Sequence, residues 1–379
     1  MQLGIEAIKK QDLVKTSYSE DDVVMLLKDL SGVMKELSTS ERERLIQSGV
    51  HYSEMLPQEK EPTHQYMSLY ESSLIRTRFD IAMGIAIISE MMLHNCNSVP
   101  VIISLARAGT PIGVLIKRYL KLEHDIDAPH YSISIIRDKG IDKNAMEFLY
   151  NTHGESAVHD FCFVDGWTGK GVIKKQVEEA VKELKGSNKK WSALRDDLYV
   201  IADPANVTQL CGTHTDYLIP SSCLNSTVSG LTSRTILNNN INTEAGDFHG
   251  AVYFDKFEDI DKTNEFVEVI TNEFSKLGCV NFTIHELNEE NNGMKIVNNI
   301  CKDYDIKDYK KVKPGIGEAT RVLLRRVPWK VLIDNNVMDK DPDIQHIITL
   351  CREKGVAIER YDLGNYKVCG IIKELSADA

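Results

Sequence analysis

The chain reads as an α/β protein: a parallel sheet with helices on both faces, followed by a smaller α/β unit. Three observations predict this. Residues 99–205 repeat the order strand, loop, helix; their strands are continuous apolar runs; and the charge balance steps near residue 300. A strand that is apolar at every position is buried on both faces, as in a parallel sheet between helices. Such sheets bind ligands at the carboxyl ends of their strands.

The elements follow in order. VVMLLKDL (23–30) and ERERLIQSG (41–49) predict helices, HYSEMLPQEKEP a loop, and residues 68–93 a long helix leading into the first strand. VPVIISLA (99–106) is that strand, and Pro111 after the loop Arg107-Ala108-Gly109-Thr110 suits the first turn of the helix PIGVLIKRYLKL. HYSISII (130–136) is a β-branched strand, followed by the polar loop RDKGID and the helical stretch KNAMEFLYNTH. DFCFV (160–164) leads into Asp165–Gly171 and then a helix with Val172, Ile173, Val177, Ala180 and Val181 at helical spacing. LYVIAD (198–203) is the fourth strand. Residues 206–260 are polar and aperiodic, a length that in a compact domain points either to function or to poor order. Beyond them we expect helices over 262–277, 287–303 and 316–327, strand 329–335, helix 343–355, and strands 356–360 and 365–373. The domains are placed at 1–260 and 261–379.

Composition narrows the class. With 42% apolar and 27% charged residues, the chain is that of a soluble protein with a sizeable core. No apolar run approaches the roughly 18 residues of a membrane span, and the N-terminus has no apolar leader. None of the eight cysteines forms C-x-x-C, which speaks against a zinc ribbon or disulfide scaffold. A reduced, cytoplasmic protein is the expectation. The net charge of -11 repels nucleic acid and anionic membranes in bulk. Residues 300–379 nevertheless hold 15 basic against 13 acidic side chains, and Lys310–Lys330 carries seven basic residues beside Glu318 alone. That step predicts a module with its own partner.

Asp165-Gly166-Trp167-Thr168-Gly169-Lys170-Gly171 is the most informative segment. A buried strand ends in a carboxylate, and a Gly-rich turn then enters a helix, whose first amides and partial positive charge suit a phosphate. The same turn would also serve simple close packing of strand on helix. It is neither a P-loop nor a dinucleotide fingerprint: Val164 stands where the P-loop needs its first Gly, Gly171 where it needs Ser or Thr, and Lys174 where the fingerprint needs its third Gly.

The segment resembles the motif by which type I phosphoribosyltransferases bind 5-phosphoribosyl 1-diphosphate (PRPP). The resemblance implies that Asp165 holds the ribose hydroxyls and that Thr168, Gly169, Lys170 and Gly171 cradle the 5′-phosphate. Gly166 stands where that family commonly has a second acidic residue. Arg107, Ala108, Gly109 and Thr110 look like its pyrophosphate loop, and the loop bearing Arg137 and Lys139 falls where it carries a mobile catalytic loop. Mg²⁺ would then accompany PRPP, with no metal site made of protein ligands alone. Charge accumulating on departing pyrophosphate is what Arg, Lys and Mg²⁺ stabilise.

SLARAGTPIGVLIKR, HYSISIIRDKGID, FVDGWTGKG, DYLIPSSCLNSTVSGLTSR and DFHGA together resemble an orphan phosphoribosyltransferase family of bacterial stress and tellurite-resistance gene clusters, often labelled "cysteine protease StiP". The similarity spans roughly residues 15–255. Residues 313–373 resemble a Pelota-type RNA-binding domain, an L7Ae-like α/β fold, which implies RNA as a partner through Lys311, Lys313, Arg321, Arg325 and Arg326. Arg321 and Arg325, four apart, share a helix face. A solvated basic face would look the same.

In the polar middle, Asp203, Asp216, Tyr217, Ser222, Asn225, Arg234 and His249 are candidates for an acceptor pocket. A peptidase reading combines Cys223 with His249 or His214 and Asp247, following the logic of a thiol, a base and an orienting carboxylate. A third reading is a non-catalytic, nucleotide-sensing regulator acting through RNA. His51, His130, His153 and His285 have no spacing that suggests a metal.

Overall fold

A computed structural model describes residues 13–238, 241, 246–284 and 286–373; His285 lies outside them. The central sheet contains β1 (Val24–Met25), β2 (Val101–Leu105), β3 (His130–Ile133), β4 (Phe161–Trp167) and β5 (Leu198–Ala202). Its five strands are all parallel in the order β1-β3-β2-β4-β5. Helix α1 (His64–Asn95) precedes β2, α2 (Thr110–His124) follows it, α3 (Lys143–His153) follows β3, and α4 (Val172–Ser187) follows β4. Helix α5 (Thr263–Phe274) packs on α1 and α2.

The apolar runs sort by parity. Ile102, Cys162, Val164, Tyr199 and Ile201 share a core with α1, α2 and α5. Their alternate neighbours Val101, Ile103, Phe161, Phe163, Leu198 and Val200 pack with α3 and α4 on the opposite face. Each such side chain contributes about 1.5–3 kcal/mol on full burial, so neither face could be polar. VVMLLKDL is not the expected helix: it forms β1 and a two-residue strand, Lys28–Asp29, that pairs with Gly250–Ala251. A short apolar run rich in valine fits either state, and pairing at the sheet edge decides it.

The second unit carries α6 (Gly293–Asp303), β6 (Val312–Pro314), α7 (Ile316–Arg325), β7 (Pro328–Asp334), α8 (Gln345–Lys354), β8 (Ala357–Tyr361) and β9 (Val368–Ile372). Its sheet runs β6-β9-β7-β8, with β9 antiparallel to both neighbours and β8 parallel to β7. The two units share apolar contacts: Ile316, Ala319, Leu323, Val331 and Ile333 belong to the same core as α1 and α2. Ala205 in turn packs into the core of the second unit.

Candidate functional site

Four loops leave the carboxyl ends of the central strands, and the first three approach one cleft. The loop after β4 sets its floor. Asp165 and Thr168 are buried, Gly169 and Lys170 half-buried, and Gly171 caps α4 at φ +76°. A Cβ on Gly171 would also lie 2.7 Å from the Val207 side chain, so glycine is required twice over. Asp165, Gly169, Lys170 and Gly171 line a cavity of about 240 Å³ with Ala108, Arg137 and Lys174. Its far wall comes from the second unit: Tyr309, Lys310, Lys313 and Glu318.

The electrostatics favour an anion. Five basic side chains line this cavity against two carboxylates. Burial pushes the Asp165 carboxyl up to about 7, opposed by the hydrogen bond it accepts from the Gly166 amide. Burial, then the neighbouring Lys313, pulls Lys170 down to about 8. A ligand bearing negative charge relieves Lys170, whereas Asp165, whose ionised form burial already opposes, is suited to a neutral hydroxyl donor.

Gly166 has a spatial counterpart. A Cβ there would stand 3.3 Å from the Ala108 carbonyl, so the first loop already occupies the space beside it. Gly109 is tighter: a Cβ would meet the Val164 carbonyl at 2.3 Å. The Ala106–Arg107 peptide of this loop is cis. Arg107 donates to the Thr232 carbonyl at 2.9 Å and lies 3.7 Å from Glu59. Thr110 is buried, its hydroxyl 2.7 Å from that of Ser132. The loop after β3 is a hairpin of Ile135–Ile136 against Gly140–Ile141; Arg137 lines the cavity, whereas Lys139 is exposed at the tip. Asp142 caps α3, accepting at 3.0 Å from the amides of Asn144 and Ala145.

The middle segment divides. Asp216, Tyr217 and Ser222 line a narrower extension of the cleft with Trp167, Pro314 and Gly317. Asp216 accepts the Ile316 amide at 3.0 Å and the Lys367 amide at 3.0 Å, so a carboxylate of the first unit caps helix α7 of the second. Asp216→Ala is expected to cost about 1–3 kcal/mol by leaving those amides unpaired. Urea unfolding measures it; an unchanged midpoint would mean that docking does not depend on this carboxylate. Asn225 joins a third part of the cleft with Arg107 and Arg321. The Arg234 guanidinium lies 5.4 Å from the Tyr52 ring centre. His249 is elsewhere, its ring 2.8 Å from the Ser134 hydroxyl and its amide donating to Asp142.

The residues named for a peptidase do not meet as a set. Cys223 is 1% exposed, and burial pushes its thiol up to about 12. Asp247 is paired with Lys28, and His249 faces Ser134. A different set assembles. Residues 210–213 run alongside β5, with the Gly212 amide bonded to the Val200 carbonyl and Asp203 to Thr213. This brings Cys211 Sγ within 3.6 Å of His214 Nε2, while His214 Nδ1 lies 3.0 Å from the Asp203 carbonyl and 3.4 Å from its carboxylate. Asp203 also accepts from the Thr168 hydroxyl and from the Val207 and Thr208 amides. Its carboxylate, first, and Cys211, second, raise His214 to about 10. The three side chains are close enough to share a metal ion. The spacing Cys-x-x-His at 211–214 was the available signal, but its carboxylate lies eight residues upstream and only folding reveals it.

The basic residues of the second unit also divide. Lys313 lines the main cavity, Lys311 is half-buried and Arg326 exposed. Arg321 and Arg325 turn toward the first unit, where both donate to Asn225 Oδ1, at 3.1 and 3.0 Å. The shared helix face is real and borders the first unit, with the Arg321 side chain 36% exposed and Arg325 exposed.

Together, a parallel α/β unit with loops converging on a basic cleft and a second unit forming its far wall define a two-part protein. The chain belongs to the family described as tellurite-like stress resistance cysteine protease StiP, matched over residues 16–271, and residues 291–374 match the PELOTA RNA binding domain. It is 31% identical to "Cysteine protease StiP" of Acinetobacter baylyi, over 98% of this chain and 97% of that protein. Among the described residues, no helix is long and apolar enough to cross a membrane.

Proposed function

We propose that the chain is an enzyme of the phosphoribosyltransferase type, binding PRPP or a related phosphoribosyl diphosphate with Mg²⁺ and making a nucleotide-like product. The observation that carries this is the cavity shared by Asp165, Gly169–Gly171 and the first loop at adjacent strand ends. Gly169, Lys170 and Gly171 hold the 5′-phosphate at the start of α4. Asp165, as carboxylate, accepts from the ribose hydroxyls, and Arg107 receives the diphosphate. A nitrogen of the acceptor forms the new bond to the ribose anomeric carbon as the bond to pyrophosphate breaks. Arg137 stands at the cavity to oppose the charge that leaves. Asp165 and Glu318 are too few for an all-protein cage, which suits a magnesium ion carried on the ligand's own oxygens. The second unit, through its likeness to RNA-binding domains, brings an RNA near the same cleft.

Calorimetric titration of the whole chain with PRPP tests this. Binding is expected with MgCl₂ and only weakly without it; no heat in either condition would sink the reading.

The Cys211–His214–Asp203 arrangement favours a second reading, a thiol peptidase. The Cys211 thiol is buried, which raises it, while His214 pulls it back. On that reading Cys211→Ala abolishes peptide hydrolysis and Cys223→Ala leaves it intact; equal activity in both variants would exclude it.

A further inference from the structure

We infer that Arg321, a residue of the C-terminal unit, completes with Arg107 a diphosphate subsite in the cleft between the two units. This rests on the phosphoribosyl reading above and assigns the second anion of that ligand.

Arg107 and Arg321 line one cavity of about 70 Å³ together with Ser221, Ser229 and Asn225. This is room for a phosphoryl group. The cavity shares Ala108 and Trp167 with the larger phosphate cavity, so one ligand can reach from one to the other. Charge in this corner is unbalanced. Arg107, Arg321 and Arg325 gather around Glu59, 3.7 Å from Arg107, and Glu318, 3.4 Å from Arg321. Glu59 is further committed to the Ser226 amide and hydroxyl, both at 3.0 Å. Burial, and then the fields of Arg321 and Arg325 against that of Glu59, lower Arg107 from its usual range. Arg107 is the largely buried member, and Arg321 and Arg325 stand at the solvent edge beside it. Guanidinium groups held this close are stabilised by a multivalent anion, and Arg is the side chain suited to bidentate phosphate binding.

The two helix arginines have different tasks. Arg325 is occupied: it donates to the Tyr66 hydroxyl at 2.7 Å, to Asn225 at 3.0 Å and to the Cys223 carbonyl at 3.3 Å, and lies over the Tyr66 ring. It anchors α7 to the first unit and steadies Asn225. Arg321 makes one bond to Asn225 and a longer one to Glu318, and it lines the cavity. The helix that charge alone marks as an RNA contact therefore supplies a small-ligand contact, and the transferase pocket is incomplete without the C-terminal unit.

The test uses the full chain, MgCl₂, and two separate probes, inorganic pyrophosphate and ribose 5-phosphate. Arg321→Gln keeps a donor for Asn225 while removing the charge. It is expected to weaken pyrophosphate at least about tenfold, the loss of one charge-assisted hydrogen bond, while ribose 5-phosphate stays within about twofold. If Arg107→Gln loses pyrophosphate and Arg321→Gln binds it like wild type, the inference is overturned and the phosphoribosyl reading stands. If wild type binds neither probe, both fall together. Arginine modification by phenylglyoxal, read by mass spectrometry on the wild-type chain, needs no variant: saturating pyrophosphate is expected to protect Arg321. Equal labelling with and without it would overturn the assignment.

Discussion

Asp165→Asn is expected to weaken magnesium-dependent PRPP binding about 100-fold and, at the same time, to stabilise the free protein above neutral pH. Both effects come from one buried carboxyl. Burial raises it to about 7 in the folded chain, whereas in the unfolded chain it ionises near the ordinary carboxylate value of about 4. Between those values the unfolded chain has lost the proton and the folded chain keeps it. Stability therefore falls as pH rises through this window, and the full penalty remains above it. Asparagine carries no charge and still offers an acceptor to the Gly166 amide. The variant should gain on the order of 2 kcal/mol at pH 8 and little at pH 4. Binding moves oppositely, since the carboxylate's hydrogen bonds to a diol are charge-assisted, and losing two of them costs about 100-fold. Thermal melts across pH, beside calorimetry, measure both. A variant that binds PRPP like wild type would remove Asp165 from the ribose role; one that melts lower at pH 8 would show that its burial imposes no penalty.

Gly109→Ala is expected to be the most damaging single-atom change near the site. The added Cβ would lie 2.3 Å from the Val164 carbonyl, 2.9 Å from the Leu105 amide and 3.0 Å from the Leu105 carbonyl. All three are backbone atoms of adjacent central strands, so no side chain can swing aside. Overpacking of this kind costs about 3 kcal/mol or more, and relief requires the first loop to move away from β4, the strand that delivers Asp165. Gly166→Ala is the control, because its Cβ would meet nothing closer than the Ala108 carbonyl oxygen, at 3.3 Å. Urea unfolding should give a large drop in midpoint for the first variant and a small one for the second. Equal midpoints would mean that the strand ends are more compliant than their hydrogen bonds indicate.

What was legible in the sequence follows from local physics. The runs VPVIISLA, DFCFV and LYVIAD are apolar on both parities, and only a sheet covered on both sides can bury them. The loop Asp165–Gly171 could be singled out because positive φ and a close approach to a helix start demand glycine locally. The helices and strands of the C-terminal unit were likewise readable, because amphipathic spacing and β-branched runs are short-range signals. VVMLLKDL was misread because eight apolar-rich residues fit either state and a partner strand about a hundred residues away decides.

The tertiary structure alone decided which side chains meet. Asp216 caps a helix that begins a hundred residues later, Arg321 bonds Asn225 of the first unit, and Cys211 and His214 find Asp203 across a loop. None of these leaves a periodic trace, because a polar side chain is chosen for a partner whose distance along the chain is arbitrary. Local sequence determined that the chain has a glycine-rich turn entering a helix and a basic second unit. The burial of one against the other, driven by their shared apolar core, determined that both line a single cleft.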